Sequence, residues 1–566
     1  MATDGRSTHE SSFQRSNAPT LQQPCRESWP SMRNVVLIGF MGTGKSEVGQ
    51  LLARRLGWTF IDTDRRIETR QRATVAQIFA RHGEEYFRRA EAGVVAEVAS
   101  RRDAVVATGG GVVLRPENMM HLRRQGLIVS LTAPVDILVQ RLGEAKTRPL
   151  LRGNVRESVV RLLDQRRPLY RDADLLVDVS DATPERVVEA IMALLRTRER
   201  TTISVRLADR TYPIHVGEGI LPLLPADLRE IEAGTKVAVV SHHALLRGPG
   251  AKLLAALRAG GYEGFPIAVP AGEASKSLTA AAHLYTRLAR FRLDRYSPLI
   301  ALGGGVIGDL AGFVAATYMR GIQLIHVPTT LLAMVDSSIG GKTGVNHARV
   351  KNLVGAFYQP ALTVADVRML ATLPERELRS GLAEVIKTAV IGDAVLFEFL
   401  EQHLPAVLRR ETAALVEVIS RCAGFKARVV EVDERERSER RILNYGHTIG
   451  HAVEAAAGFR RLTHGEAIAI GMALEARVAQ RLGVADAKMV DRQNTLLTRA
   501  GLPTKLGAVN RRAVWRAMAL DKKIRDGVLR CPLPVGIGEV VREQEVPDTL
   551  LREVLAGGQN SRRLRA

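Results

Sequence analysis

One octapeptide restricts this chain more than any other feature. Gly39-Phe-Met-Gly-Thr-Gly-Lys45-Ser46 follows the apolar run from Asn34 to Gly39 and precedes an amphipathic stretch carrying Val48, Leu51, Leu52 and Leu56. A short continuous apolar run needs cover on both faces, which a parallel sheet between helices provides. The spacing G-x-x-x-x-G-K-[ST] lets backbone N–H groups close around phosphate oxygens at a helix N-terminus. Gly42, Thr43 and Gly44 line that cradle, Lys45 reaches the outer phosphates and the Ser46 hydroxyl can ligate Mg2+. Ala104–Ala107 and Gly126–Leu131 repeat the short apolar pattern, each followed by helical periodicity. Strands alternating with helices predict an α/β fold with a parallel sheet.

At 566 residues the chain exceeds one ordinary core. The first unit spans 33–197 and closes with a helix over Pro184–Leu195. The polar run Arg196–Thr202 lacks periodicity, and a linker is expected at 198–202. Ile203–Val216 alternates like an antiparallel hairpin, while Lys236–Val240 and Pro298–Leu302 read as strands of a second α/β lobe, 203–369. From about Leu370 apolar residues recur at helical spacing (Leu400, Val416, Ile419, Ile468, Leu474), so 370–555 is expected to be a helical lobe, followed by a tail over 556–566. Residues 1–32 are rich in Ser, Gln, Arg and Pro without an apolar core, so a disordered tail rather than a secretory leader is expected.

Composition removes other classes. No apolar run approaches the roughly 20 residues of a membrane span. Cys25, Cys422 and Cys531 lie far apart with no C-x-x-C pair, which suits a reducing cytoplasm and not a disulfide framework. The formal charge of +21 comes mostly from Arg scattered through helical stretches, and no nucleic-acid-binding signature accompanies it. No specific nucleic-acid partner and no membrane partner are expected.

What the first unit phosphorylates is suggested by the segments around the loop. Phe60-Ile-Asp62-Thr-Asp64 follows the second strand, Gly83-Glu-Glu-Tyr-Phe-Arg88-Arg-Ala-Glu91 lies on a helix, and Thr108-Gly109-Gly110-Gly111 follows the third strand. Arg141, Arg148-Pro-Leu-Leu151 and Arg166-Arg-Pro-Leu-Tyr170 complete the series. In this order and spacing the unit resembles the shikimate kinase family over 33–197. The resemblance implies that Asp64 holds and helps activate the shikimate hydroxyl. It implies that Arg88 and Arg166 fork onto the carboxylate and that Gly110 brings a backbone N–H to the ring. Arg148, on a lid, with Arg141 nearby, would meet the transferring phosphoryl of ATP, and Asp62 would assist Mg2+ through water. Gluconate kinases share the loop but should lack the carboxylate-binding arginine pair.

The second unit carries two further patterns. Leu302-Gly-Gly-Gly305-Val306-Ile307-Gly308-Asp309 holds G-x-G-x-x-G between strand and helix, although no acidic ribose ligand stands about 20 residues on. By itself it marks a dinucleotide or phosphate binder. Asn444-Tyr-Gly-His447-Thr-Ile-Gly-His451 puts two histidines at i and i+4, His464-Gly-Glu466 follows, and Ser380-Gly-Leu-Ala-Glu384-Val-Ile-Lys387 offers a carboxylate. His and Glu donors without Cys suit a catalytic zinc with open positions, and spacing alone makes His447 and His451 both ligands.

The whole run 203–555 resembles 3-dehydroquinate synthase. The matched segments include Pro270-Ala271-Gly272-Glu273-Ala274-Ser275-Lys276, Gly303 to Gly321, Pro328-Thr329-Thr330, Val335 to Asn346, Lys351-Asn352-Leu-Val-Gly355 and Asp521-Lys522-Lys523. The resemblance implies a two-lobe unit, an α/β NAD-binding lobe and a helical metal-binding lobe. In it Glu384, His447 and His464 hold Zn (or Co), and His451 handles a proton at the substrate. NAD would lie along Gly305–Asp309, with 271–276, Thr329, Thr330, Lys342, Lys351 and Thr372 around it. Arg320, Asp336, Lys342, Asn352, Lys387, Arg440, Asn444 and His451 would receive 3-deoxy-D-arabino-heptulosonate 7-phosphate, joined by Lys522 or Lys523. After Lys236–Val240 the family usually presents Asp or Asn to the adenosine ribose, where this chain has Ser241-His242-His243. The implied chemistry is oxidation by NAD, elimination of phosphate, reduction and ring closure to 3-dehydroquinate. A homodimer through this half is expected. Two alternatives stand beside this reading: another sugar-phosphate cyclase of the valiolone type, and a basic nucleic-acid-binding protein with relict enzyme folds.

Overall fold

The computed structural model describes residues 34–124, 126–143, 151, 154–348, 350–458, 461–519, 524–525 and 528–556. Two compact units meet in sequence at Leu194 and Leu195. Both terminal tails (1–32 and, beyond Ala556, 557–566), Arg148, Lys522 and Lys523 lie outside the described residues.

In the first unit β1 (Asn34–Gly39), β2 (Thr59–Asp62), β3 (Ala104–Ala107), β4 (Gly126–Thr132) and β5 (Leu175–Asp178) form one parallel sheet, ordered β2-β3-β1-β4-β5. Val35, Val36, Leu37 and Ile38 of β1 are no more than 1% exposed, because helices cover both faces of this central strand. Burying each such side chain contributes about 1.5–3 kcal/mol before chain entropy is counted. The chain leaves β1 toward β2 and β3 on one side and later builds β4 on the other. The strand order therefore reverses between β1 and β4, where the ends of neighbouring strands splay and ligands of open α/β sheets bind. The glycine loop stands there.

The polar run after the first unit is not a free linker. The helix Pro184–Glu199 continues through it and β6 (Thr201–Arg206) begins two residues later. Arg200, between them, donates to Asp227 at 2.6 Å. β6 pairs antiparallel with β7 (Thr211–Gly217), the hairpin that the alternation predicts. β8 (Lys236–His242), β9 (Glu263–Val269), β10 (Leu299–Gly303), β11 (Leu324–Pro328) and β14 (Leu362–Asp366) join them in the order β6-β7-β14-β11-β10-β8-β9. The order reverses between β8 and β10, so the ends of those two strands flank a second crevice. A separate hairpin, β12 (Lys342–His347) with β13 (Val350–Phe357), carries Lys342, Lys351 and Asn352.

Beyond Glu375 the chain is helical, as its spacing predicts, up to one exception. Residues 524–525 and 528–546 hold a three-stranded antiparallel sheet, β15 (Ile524–Arg525), β16 (Val528–Gly536) and β17 (Glu539–Val546), where the helical reading places none. Pro532 and Pro534 disguise β16, since proline cannot donate to a ladder. The pairing shifts register between Cys531 and Leu533 and again between Pro534 and Gly536, so both prolines sit at irregularities that tolerate them. No helix among the described residues is long and apolar enough to cross a membrane.

Candidate active sites

In the first unit Gly39, Gly42 and Gly44 all have positive φ, which turns the loop tightly enough to point its N–H groups inward. Lys45 Nζ donates to the carbonyls of Gly39 and Phe40, each at 2.8 Å, so the ammonium folds over the loop. Ser46 Oγ donates to Asp62 Oδ2 at 2.7 Å, joining the two residues expected near Mg2+. The other Asp62 oxygen caps the next helix by accepting from the Asp64 and Arg65 N–H groups. That cap fixes the backbone that carries Asp64.

Asp64 sits over the Gly109–Gly111 turn with a buried Oδ1 that has no hydrogen-bond partner. Burial, reinforced by the neighbouring Asp62 charge and partly offset by Lys45 and Arg88, raises its pKa from 3.8 to about 6. Arg88, 7% exposed, donates to Glu91 Oε2 and Glu84 Oε1, both at 2.9 Å. Arg166 Nη1 donates to the Gly110 carbonyl at 3.1 Å, and Tyr170 OH to the same oxygen at 2.5 Å. The structure thus gathers Lys45, Asp64, Arg88, Gly110 and Arg166 around one turn. Arg141 points elsewhere, its guanidinium donating to the carbonyls of Val179 and Ser180.

Glu91, which the sequence offers only as part of a helix face, is fully buried beside Arg88 and Asp64, and burial raises its pKa. Its signal was the i+3 spacing from Arg88. Gly111 is needed for close approach: a Cβ there would stand 2.2 Å from both terminal nitrogens of Arg88. Gly111→Ala therefore pushes the guanidinium aside. Steady-state kinetics should show KM for a carboxylate-bearing acceptor rising by about 10- to 100-fold, the worth of a charge-assisted hydrogen bond, with KM for the nucleotide unchanged.

In the second unit Gly305 opens the helix Gly305–Thr317 directly after β10, and Gly304, its N-cap, supplies no side-chain hydrogen bond. The N–H groups of that first turn, which have no side-chain cap, stand at the end of β10 beside the strand reversal, a fit for the pyrophosphate of a dinucleotide. Lys276 forms an ion pair with Asp309, and Asn346 Nδ2 donates to Glu273 Oε1 at 2.8 Å, so the 270–276 loop is fastened to this helix and to β12. Thr329 N donates to the Gly303 carbonyl at 3.0 Å, and Thr330 Oγ1 accepts from Ala333 N at 3.2 Å. Thr372 is exposed at the end of the helical turn Val367–Thr372, and no hydrogen bond among the described residues ties it to the 270–276 loop. On the other side of the crevice Ser241 is buried and spends its hydroxyl on the Leu302 carbonyl at 2.5 Å.

Three helices bring together a candidate metal centre. Glu384 comes from Glu375–Gly392, His447 opens His447–Ala456, and His464 opens His464–Arg481. The outer pair approach closely: a Cβ on Gly465 would lie 2.0 Å from the Ser380 carbonyl oxygen, so only glycine permits the contact. Both His447 Nε2 and His464 Nε2 stand 3.4 Å from Glu384 Oε1, a buried oxygen without a hydrogen bond. His447 Nδ1 faces the Tyr445 carbonyl at 3.1 Å, which leaves Nε2 free to ligate. These three residues offer one ligand atom each within 4.8 Å of one another. The donor set and the orphaned oxygen fit a divalent cation. His451, Glu454 and His464 form a second such group, but His451 is exposed and Glu454 already accepts from Lys351 at 3.0 Å. The i, i+4 histidines thus do not form the buried set. Burial opposes protonation of His464, yet Glu384 and Glu454 together raise its pKa to about 9, so a metal held there would displace a proton.

Glu475 supports this centre in a way the sequence conceals. It is 1% exposed, and its carboxylate accepts from Gly446 N at 2.6 Å and Ile449 N at 3.0 Å. It thereby caps the His447 helix from a neighbouring helix, since Gly446 has no side chain to do so.

Beside the metal centre, Lys342, Lys426, Arg440, Asn352, Asp336 and Asp309 line a cavity of about 450 Å3. Burial opposes ionisation of Asp336, but Lys426 and Lys387 hold its pKa near about 2. Lys426, which no motif singles out, donates to Asp336 Oδ1 at 2.6 Å, and burial lowers its pKa to about 8. Lys387 is buried in an ion pair with Glu384, and despite burial the Glu384 and Asp336 charges raise its pKa. Glu436 pairs with Lys342 and accepts from Asn444 Nδ2 at 2.8 Å. Arg320 is exposed at the end of the turn Tyr318–Arg320 and does not line the cavity.

Residues 41–196 match the family described as shikimate kinase. Residues 266–380 and 381–524 match those described as 3-dehydroquinate synthase N-terminal and 3-dehydroquinate synthase C-terminal. A 3-dehydroquinate synthase of Nostoc punctiforme is 45% identical over 358 residues, covering 63% of this chain and 99% of the relative. Among solved structures, a 2-deoxy-scyllo-inosose synthase complexed with carbaglucose-6-phosphate, NAD+ and Co2+ is similar at TM-score 0.59 and 30% identity, over 63% of this chain and 100% of that one. A 2-epi-5-epi-valiolone synthase from Streptomyces hygroscopicus subsp. jinggangensis 5008, with NAD+ and Zn2+ bound, reaches 0.57 at 31% identity, over 62% of this chain and 98% of its own.

Proposed function

The chain belongs to the 3-dehydroquinate synthase family, with a shikimate kinase ahead of the synthase, and from that premise we propose how its residues divide the work. It is a bifunctional enzyme that phosphorylates shikimate from ATP and converts 3-deoxy-D-arabino-heptulosonate 7-phosphate to 3-dehydroquinate and phosphate. The greater identity to 3-dehydroquinate synthases than to the valiolone synthase, 45% against 31%, favours this substrate over the valiolone-type alternative.

In the kinase the glycine loop and Lys45 hold the ATP phosphates, and Ser46 with Asp62 holds Mg2+. Arg88 and Arg166 orient shikimate through its carboxylate. Asp64, ionised above about pH 6, accepts the proton of the attacking hydroxyl. Arg148, outside the described residues, is assigned to the transferring phosphoryl by the family resemblance alone. Phosphoryl transfer depends mainly on positioning and charge, which these residues provide.

In the synthase the first turn of the helix Gly305–Thr317, with Gly305–Asp309, would hold the pyrophosphate of NAD. Glu384, His447 and His464 hold zinc or cobalt. When bound, these groups supply a reversible hydride acceptor and a Lewis acid for the substrate hydroxyl. The cavity beside them supplies the cations that a substrate with both phosphate and carboxylate requires: Lys342, Lys426 and Arg440. That convergence of cations beside a buried Glu–His–His cluster is the observation that carries the reading. On binding, a substrate oxyanion takes over Lys342 and Asn444 from Glu436. His451, exposed next to His447 with ring centroids 5.1 Å apart, moves protons at the substrate. We place the enzyme in the cytoplasm, as a homodimer through the synthase half, acting on small molecules and not on nucleic acid.

The test is phosphate release from the heptulosonate phosphate by metal-stripped protein, with NAD and Zn2+ restored singly and together. Release that needs both and yields 3-dehydroquinate supports the reading. A folded protein that still phosphorylates shikimate but releases no phosphate would refute it for the second unit.

A further inference from the structure

Away from both sites, the helices Arg511–Ala519 and Asp548–Ala556 enclose a groove of about 550 Å3. Its walls are Arg511, Arg512, Arg516, Arg552 and Trp515, with Leu555 at the base. The four arginines are exposed, and among the described residues none of them forms an ion pair with a carboxylate. Glu553, next to Arg552 in sequence, is engaged elsewhere, by Arg481 at 2.9 Å.

This arrangement works against the local helix. Arg511 and Arg512 stand in a first turn without an acidic residue, where positive charge opposes the helix dipole. Arg512 and Arg516 are like charges at i and i+4, which repel. Asn510 already accepts from the N–H groups of Arg512 and Ala513, so the guanidinium groups, not the backbone, are the free donors. Arg552 is held in place: its guanidinium carbon lies 4.0 Å from the centre of the Trp515 ring, a cation–π contact that fixes its plane.

Four guanidinium groups without a carboxylate partner among the described residues, around a cavity of small-molecule size, suit an anion with more than one charge, and planar forked donors suit phosphate and carboxylate oxygens. We infer that this groove is a second binding site, for a small, multiply charged phosphate or carboxylate anion. The Arg511–Ala519 helix packs against the helix His447–Ala456, and no residue lining the groove lines the cavity that holds Lys342 and Arg440.

Trp515 provides the readout. The chain has three tryptophans, and replacing Trp29 and Trp58 by Phe in the full-length protein leaves Trp515 as the only reporter. Tripolyphosphate and citrate, titrated separately at about 0.15 M salt, where weak surface attraction is screened, distinguish the two anion chemistries. Saturable change of Trp515 emission with at least one of them is expected. Binding should weaken at least about tenfold in the Arg512→Gln/Arg552→Gln variant, whose circular dichroism and shikimate phosphorylation stay unchanged. No saturable change with either anion, or equal binding by the double variant, would overturn the inference. So would tighter binding of a single-stranded oligonucleotide that strengthens with its length, because the groove would then be part of a nucleic-acid track.

Discussion

His464→Ala is expected to empty the synthase of its metal and to lower phosphate release by at least about 10^3-fold, while shikimate phosphorylation continues at its normal rate. The size follows from the geometry. Glu384 Oε1 has two imidazole nitrogens at 3.4 Å and no hydrogen bond, so its buried charge is balanced at that oxygen only by a cation or by a proton on His464. Removing His464 takes away one of three ligands and the proton acceptor together. Its side chain is 31% exposed, so the fold should survive the change, unlike replacement of the buried Glu384, which would strand Lys387 without its partner. Metal content by elemental analysis and the two activities on one preparation check the result. A fully metallated, active variant would move the metal away from this cluster.

Asp64→Asn should lower kinase turnover by about 10^2- to 10^4-fold and leave the synthase unchanged. The pH profile carries the sharper expectation. Burial and the Asp62 charge lift Asp64 from 3.8 to about 6, so the carboxyl is protonated below that pH and available as a base above it. In the parent protein kcat/KM for shikimate should rise as pH increases through about 6, and the variant should lose that limb. The same shift acts on stability. Because the folded chain binds this proton more tightly than the unfolded chain, the kinase unit loses stability as pH rises through that interval, and Asp64→Asn should flatten the slope. A rate limb that persists in the variant would assign the titration to another group.

The features that the sequence disclosed share one property: they are local. The loop from Gly39 to Ser46, the strand before it and the helix after it are fixed by a few adjacent residues, and the β6–β7 hairpin by plain alternation. Features set by contacts between distant segments were hidden. Glu475 reads as an ordinary helix-core position, and only the approach of two helices turns it into a cap for Gly446 and Ile449. Lys426 lies 90 residues from Asp336, and no spacing rule connects them. The sheet at 524–525 and 528–546 escaped because Pro532 and Pro534 argue against a strand until bulges are allowed for.

The amino-acid sequence by itself determined the phosphate cradle, the two-unit division and the residue types of both sites, because dihedral limits and hydrophobic periodicity act over a few neighbours. The tertiary structure alone decided which of those residues meet. It left His451 exposed outside the buried Glu384–His447–His464 set, turned Arg141 onto backbone carbonyls and gave Arg88 two carboxylate partners. Such choices depend on how sheets reverse and helices approach, and on the cost of leaving a buried charge unpaired, which is settled only when the whole fold closes.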